Sequence, residues 1–204
     1  LLTVLGRCII RKNTVEDSAD LKLIGALLIS TVVTGVIGII LKDVVQAKNM
    51  LFIAVCFIIT GVVLLLSTKL QSKKNVAVPS VLQAVIIGAA QGIGVLPGIS
   101  RSGSTIAAAL LTGISRERAG EYSFLLSIPA ILAAFIFELK SADTISGSIG
   151  IAALIAGMLT AFIVGFFALT FLLKLIKGGK LGLFAYYLIP AGIILFGAVG
   201  IFQL

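Results

Sequence analysis

Five apolar runs fix what this chain can become. Leu21–Leu41, Met50–Thr68, Tyr122–Leu139, Ile149–Leu173 and Leu181–Phe202 each hold at least about 18 residues, close to the roughly 20 that a helix needs to cross a bilayer. Inside lipid a backbone finds no outside partner for its N–H and C=O groups, so each run is read as a helix. Composition agrees. The 204 residues are 59% hydrophobic and 12% charged, against about 45–50% and about 25% in soluble domains. The expected fold is all-α, a single integral membrane bundle over residues 1–204.

A sixth apolar region is interrupted. Pro97-Gly98 cuts residues 81–112 into arms of 16 and about nine residues. At 1.5 Å per residue they reach about 24 and 14 Å, short of a roughly 30 Å hydrocarbon core. The expectation is a re-entrant helical hairpin. Such backbone survives at membrane depth only when buried in protein or beside a watery cavity.

Loop charge supports that topology. Arg7, Arg11, Lys12 and Lys22 flank the first connection, and Lys42, Asp43 and Lys48 sit in the second. Lys69, Lys73 and Lys74 mark the third, Arg116 and Arg118 the fourth, and Glu138, Lys140 and Asp143 the next. Lys174, Lys177 and Lys180 mark the sixth. If the first, third, fourth and sixth face the cytoplasm, every full span crosses once and 81–112 returns to its own side. The net charge of +8 is therefore assigned to cytoplasmic loops and anionic headgroups, with no nucleic-acid partner. Gly25, Lys42 and Leu51-Phe52 recur 132 residues later as Gly157, Lys174 and Leu183-Phe184. With opposite orientations for the two pairs of spans, this reads as an inverted-topology repeat. The partner of the broken region would then lie before Leu1. "LLTVLGRCIIRK" reads as the end of an incomplete helix at 1–11, so the expectation is half of a repeat, truncated at the N-terminus.

The chemistry concentrates in "PGISRSGST", Pro97–Thr105. Arg101 has no acid within fifteen residues on either side, the nearest being Glu117. Placing an arginine at the bilayer centre costs about 2.5–3.5 kcal/mol on insertion scales. A polar cavity with an anionic ligand would remove that cost, and a guanidinium is a planar fork suited to phosphate oxygens. Gly98 and Gly103 allow tight turns. Ser100, Ser102, Ser104 and Thr105 supply hydroxyls, and Ser102 or Ser104 could cap a helix starting near Thr105. Cation, hydroxyls and helix N-terminus converge on an anion. The competing assignment is a surface loop whose arginine snorkels to headgroups. Ser30, Thr31 and Thr34 are expected at helix–helix contacts, and Glu121, Tyr122 and Ser123 at the membrane interface, with Glu121 able to reach a cation. Cys8 and Cys56 form no CxxC pair and are expected to be buried, and the absence of histidine removes imidazole ligands and bases.

The segment from Gln91 to Leu139, "QGIGVLPGISRSGSTIAAALLTGISRERAGEYSFLLSIPAILAAFIFEL", resembles the undecaprenyl-diphosphate phosphatases, also called bacitracin-resistance proteins. The SRSG core is specific, and the downstream R-E-x-A-x-x-[FY]-S-F-L-L-S-I-P adds weight. The resemblance implies a multi-pass enzyme of the bacterial inner membrane, hydrolysing undecaprenyl diphosphate to undecaprenyl phosphate for cell-wall synthesis. It implies a site opening to the periplasm and a divalent cation, Mg2+ or Ca2+. It leaves a homodimer open. Arg101 maps onto the diphosphate-binding arginine, with Ser100, Ser102 and Thr105 beside it and Gln91 at a polar position of the motif. From these, Arg101, Ser100 and Ser102 are the catalytic candidates. Arg101, Ser102, Gly103, Ser104, Thr105 and Gln91 are the diphosphate-binding ones, and no metal ligand is assigned. Members also carry an N-terminal E-G-x-T-E-F-L-P-[IV]-S-S-x-G-H motif, which nothing in these residues matches. The expectation is that about sixty or more residues, including most cation ligands, lie upstream. The alternatives are a transporter or flippase for an anionic lipid phosphate, or an inactive lipid-diphosphate-binding homologue.

Overall fold

The computed structural model describes residues 15–41, 44, 49–70, 75–139 and 151–202. The described chain is helical: α1 (Val15–Ile40), α2 (Met50–Lys69), α3 (Val81–Ile93), α4 (Arg101–Leu111), α5 (Arg116–Leu139), α6 (Ile151–Lys177), a short 3-10 turn (Leu181–Phe184) and α7 (Ala185–Phe202). Five segments, within α1, α2, α5, α6 and the 181–201 stretch, are long and apolar enough to cross a membrane. The expected incomplete helix at 1–11, Cys8 and the loop charges at Arg7, Arg11, Lys12, Lys42, Asp43, Lys48, Lys73, Lys74, Lys140 and Asp143 lie outside the described residues.

The broken region is a helical hairpin, with boundaries different from those read off the sequence. α3 stops at Ile93, capped by Gly94, and α4 starts at Arg101. The arms have 13 and 11 residues, about 20 and 16 Å, so neither can span alone. The reversal occupies 94–100 because helix propagation fails before Pro97, whose ring disfavours helical backbone at the residue ahead of it. Gly98 takes a left-handed φ of +88° at the tip, and a Cβ there would lie 2.6 Å from the Ile53 carbonyl oxygen. The tip is thus lodged against α2, and only glycine allows both the turn and the approach.

The hairpin's open end is clamped. Ser80 and Gln83 form a capping box at the start of α3, and Gln83 Nε2 donates to the carbonyl of Thr112 (2.9 Å) just past α4. Val76 adds a short parallel bridge to the same turn, donating to Gly113 O and accepting from Ser115 N.

α3 lies on α1 through a close-packed seam. Ser30 Oγ donates to Ala84 O (2.7 Å) and lies 2.7 Å from Tyr122 Oη. Thr34 Oγ1 reaches Gly88 O (3.0 Å). A Cβ at Gly88 would come within 2.6 Å of Ser30 O, and one at Gly92 within 2.6 Å of Ile37 Cβ. Small residues four apart let the backbones approach, the usual means of helix association where lipid competes for apolar contacts. Ser30 and Thr34 are therefore helix–helix contacts as expected, whereas Thr31 bonds within its own helix, to Leu27 O. α2 and α7 use the same device: a Cβ at Gly61 would strike Ile189, and one at Gly192 would strike Ala54 O.

α4 sits at the centre. Gly103, Thr105, Ile106, Ala107, Ala109 and Leu110 are all buried, among Ile87, Tyr122, Leu126, Ile176 and Leu181. α5 begins at Arg116, well ahead of the expected Tyr122, because the polar turn Arg116–Glu121 continues the helix outward. At its N-terminal end α5 is tied to the end of α6 by an exposed Glu117–Lys177 ion pair and by Gly120, which admits Leu173 and Ile176. Most of α6 faces outward with large apolar side chains, the pattern of a lipid-facing helix.

Candidate anion site and family membership

The first turn of α4 builds the site. Ser100 is its N-cap: its Oγ accepts from Gly103 N (3.1 Å). Ser102 and Ser104, read from the sequence as possible caps, lie inside the helix instead, one and three residues past its start. Gly103 likewise is a helical residue and makes no turn. A Cβ there would press on Ser100 Oγ at 2.9 Å, so its role is to let the cap close. The cap satisfies Gly103 N and leaves the Arg101 and Ser102 N–H groups without a protein acceptor among the described residues.

Arg101, Ser102 and Thr105 of α4 line a recess of about 240 Å³ with Gln91 of α3 and Ser123, Phe124 and Ser127 of α5. Arg101 is half-buried, and among the described residues no carboxylate pairs with it. Thr105 is fully buried. Its hydroxyl lies 3.1 and 3.0 Å from the carbonyls of Arg101 and Ser102; donating there, it accepts from Ser123 Oγ. Gln91, 1% exposed, donates from Nε2 to Leu126 O at a long 3.4 Å. Among the described residues its Oε1 is buried with no partner. A buried carbonyl oxygen without a donor costs about 1–3 kcal/mol.

Of the sequence candidates, the structure brings together Gln91, Arg101, Ser102 and Thr105. Ser100 and Gly103 border a second hollow on the other flank of α4, and Ser104 lines neither. Ser123 and Tyr122, assigned to the membrane interface, are both buried: Ser123 is a wall of the recess and Tyr122 a core side chain bonded to Ser30. Ser123 and Ser127 were missed. The available signal was two serines four apart in an otherwise apolar span, which share one helix face. Glu121 does reach a cation, pairing with exposed Arg118 at 2.9 Å.

The arrangement offers a cation, three hydroxyls beside Thr105's own, and an amide. That set has the donors an anion requires. It contains no carboxylate, and among the described residues no three His, Cys, Asp or Glu side chains come together. The described residues therefore do not form a divalent-cation site.

The family model of the bacitracin resistance protein BacA matches residues 2–194. The chain belongs to this family. It is 57% identical over 193 residues to the undecaprenyl-diphosphatase of Treponema denticola, a match covering 95% of this chain and 72% of that protein. It is 41% identical over 174 residues to the undecaprenyl-diphosphatase of Methanosphaera stadtmanae, covering 82% of this chain and 61% of the relative. The undecaprenyl-diphosphatase of Methanothermobacter thermautotrophicus is 41% identical over 177 residues, 84% of this chain and 97% of the relative. None of these three relatives is named a transporter. BacA-family membership and five apolar helices make this a multi-pass membrane protein.

Proposed function

We propose that the protein hydrolyses undecaprenyl diphosphate to undecaprenyl phosphate and inorganic phosphate in the Arg101 recess. One observation carries the reading: an arginine without a carboxylate partner among the described residues faces a polar recess, in a chain whose relatives are named for this activity. Arg101 takes phosphate oxygens on its planar fork and offsets the charge that grows on the leaving oxygen. Ser102, the Thr105–Ser123 pair and Gln91 orient the group, and the first-turn N–H groups of α4 add a favourable dipole. Oxygen from water adds to the terminal phosphorus. The bond from that phosphorus to the bridging oxygen breaks, and the bridging oxygen keeps its electron pair as part of undecaprenyl phosphate. One proton of the water stays on the released phosphate and the other passes to solvent.

Ser100 enters as the residue that holds the helix start, Gly103 as the one that lets it close. A divalent cation, magnesium or calcium, is part of the proposal with its ligands outside the described residues. So are the plasma membrane of a bacterium as the location, a role in recycling the carrier for cell-wall synthesis, and a homodimer as a possible assembly.

Phosphate release from undecaprenyl diphosphate by the full-length protein in detergent tests the reading. Arg101→Ala is expected to lower kcat/KM by about 10³-fold, at the upper end for losing one charge-stabilising donor. Arg101→Lys should recover little, because a point charge cannot hold two oxygens in one plane. Turnover in Arg101→Ala within threefold of the parent would overturn the assignment.

A further inference from the structure

The polar recess has an apolar neighbour. A second hollow, about 220 Å³, lies on the other flank of α4. Its walls are mostly apolar, Leu64, Ile106, Leu172, Leu188 and Tyr187 among them, closed at one side by the first turn of α4. Among the described residues Ser102 alone lines both hollows. A recess lined mostly by polar side chains and a hollow lined mostly by apolar ones, sharing Ser102, match a ligand that is itself divided into a charged head and a hydrocarbon tail.

We infer that a polyprenyl diphosphate straddles the first turn of α4, with its diphosphate in the Arg101 recess and its first isoprene units in the apolar hollow. This deepens the phosphatase reading and rests on it for the head group. The hollow is too small for a whole undecaprenyl chain, so it takes only the units nearest the diphosphate. The rest of the tail leaves past Tyr187, 70% exposed on α7. An ordinary phospholipid chain could fill the same apolar walls. The contact with Ser102 favours the substrate, since a tail seated there delivers its phosphates to the side chains that bind anions.

The straddle sets the order of the two phosphates. The proximal phosphate, bonded to the prenyl chain, lies at Ser102. The terminal phosphate lies among residues that line only the recess: Arg101, Gln91, Thr105 and Ser123.

The test is photo-crosslinking of the unmutated full-length protein with a polyprenyl diphosphate carrying a diazirine on its first isoprene unit. Label is expected on α7 and the end of α6, at Leu188, Tyr187 or Leu172. Excess unlabelled undecaprenyl diphosphate should displace it, and excess phosphatidylglycerol should not. Label confined to other helices, absence of label, or equal displacement by phosphatidylglycerol overturns the straddle. A second arm fills the hollow with Leu188→Trp, expected to reduce labelling and lower kcat/KM for undecaprenyl diphosphate at least tenfold with an unchanged melting temperature. Unchanged labelling in a folded Leu188→Trp protein counts against the hollow. The two readings fail separately. Label in the hollow without phosphate release rejects the phosphatase and keeps the straddle; normal release with label elsewhere does the reverse.

Discussion

The seam between α1 and α3 and the recess beside α4 both draw on serine and threonine, yet the seam adds glycine and the recess adds Arg101 and Gln91. In the seam every hydroxyl is spent inside the protein: Ser30 on Ala84 and Tyr122, Thr34 on Ser30 and Gly88. Glycine there removes volume so that two backbones touch. In the recess the hydroxyls of Thr105, Ser123 and Ser127 are likewise bonded within the protein; among the described residues the open groups are Arg101, which has no carboxylate partner, and Gln91 Oε1, which has no donor. Small polar residues whose partners lie on the next helix hold the fold, whereas a charge or amide left without a protein partner costs free energy that only an added group can return.

The comparison breaks most severely if the seam is forced apart. Gly88→Leu places a side chain where a Cβ alone meets Ser30 O at 2.6 Å. Backbone cannot yield as a side-chain tip can, so a loss of at least about 3 kcal/mol is expected, read as a lower melting temperature in detergent and a poor yield of folded protein. A Gly88→Leu protein as stable as the parent would show that the seam is looser than described.

A smaller effect sharpens the recess side. Ser123→Ala removes Thr105's hydroxyl partner without touching Arg101. The expected loss is about 1 kcal/mol of orientation, roughly fivefold in kcat/KM, with little change in melting temperature. A matching fall in stability with unchanged turnover would move Ser123 to the structural side.

Smallest is the converse substitution in the seam. Ser30→Ala should cost about 0.6–1.7 kcal/mol, the range for one interhelical hydrogen bond in a membrane protein, and leave phosphate release within twofold. Loss of turnover would mean that the Ser30–Tyr122 contact reaches the site.

These contrasts also explain what could be read from residues alone. The five spans and the shortness of the 81–112 arms follow from run length and hydropathy, which the bilayer converts directly into helices. Arg101 stood out because an unpaired charge in an apolar run has few explanations. The start of α4 was misplaced because Pro97-Gly98 marks where the chain turns, not where hydrogen bonding resumes. Four serines and threonines in nine residues give several possible caps, and only the contact of Ser100 Oγ with Gly103 N chooses among them. Ser123 was lost for a different reason. Beside Glu121 and Tyr122 it resembles the polar end of a span, and only the packing of α5 against α4 shows that it turns inward toward Thr105. The division of the two hollows at Ser102 has no signature in one dimension, since it depends on which side chains of α6 and α7 close around α4.

The central claim is that a phosphorylated lipid head group completes Arg101. Its most direct test is equilibrium binding of a non-hydrolysable, methylene-bridged undecaprenyl diphosphate to the full-length protein and to Arg101→Ala. The guanidinium account predicts at least about a hundredfold weaker binding in the alanine protein, equivalent to about 2.7 kcal/mol. Equal affinity in the two proteins would contradict it.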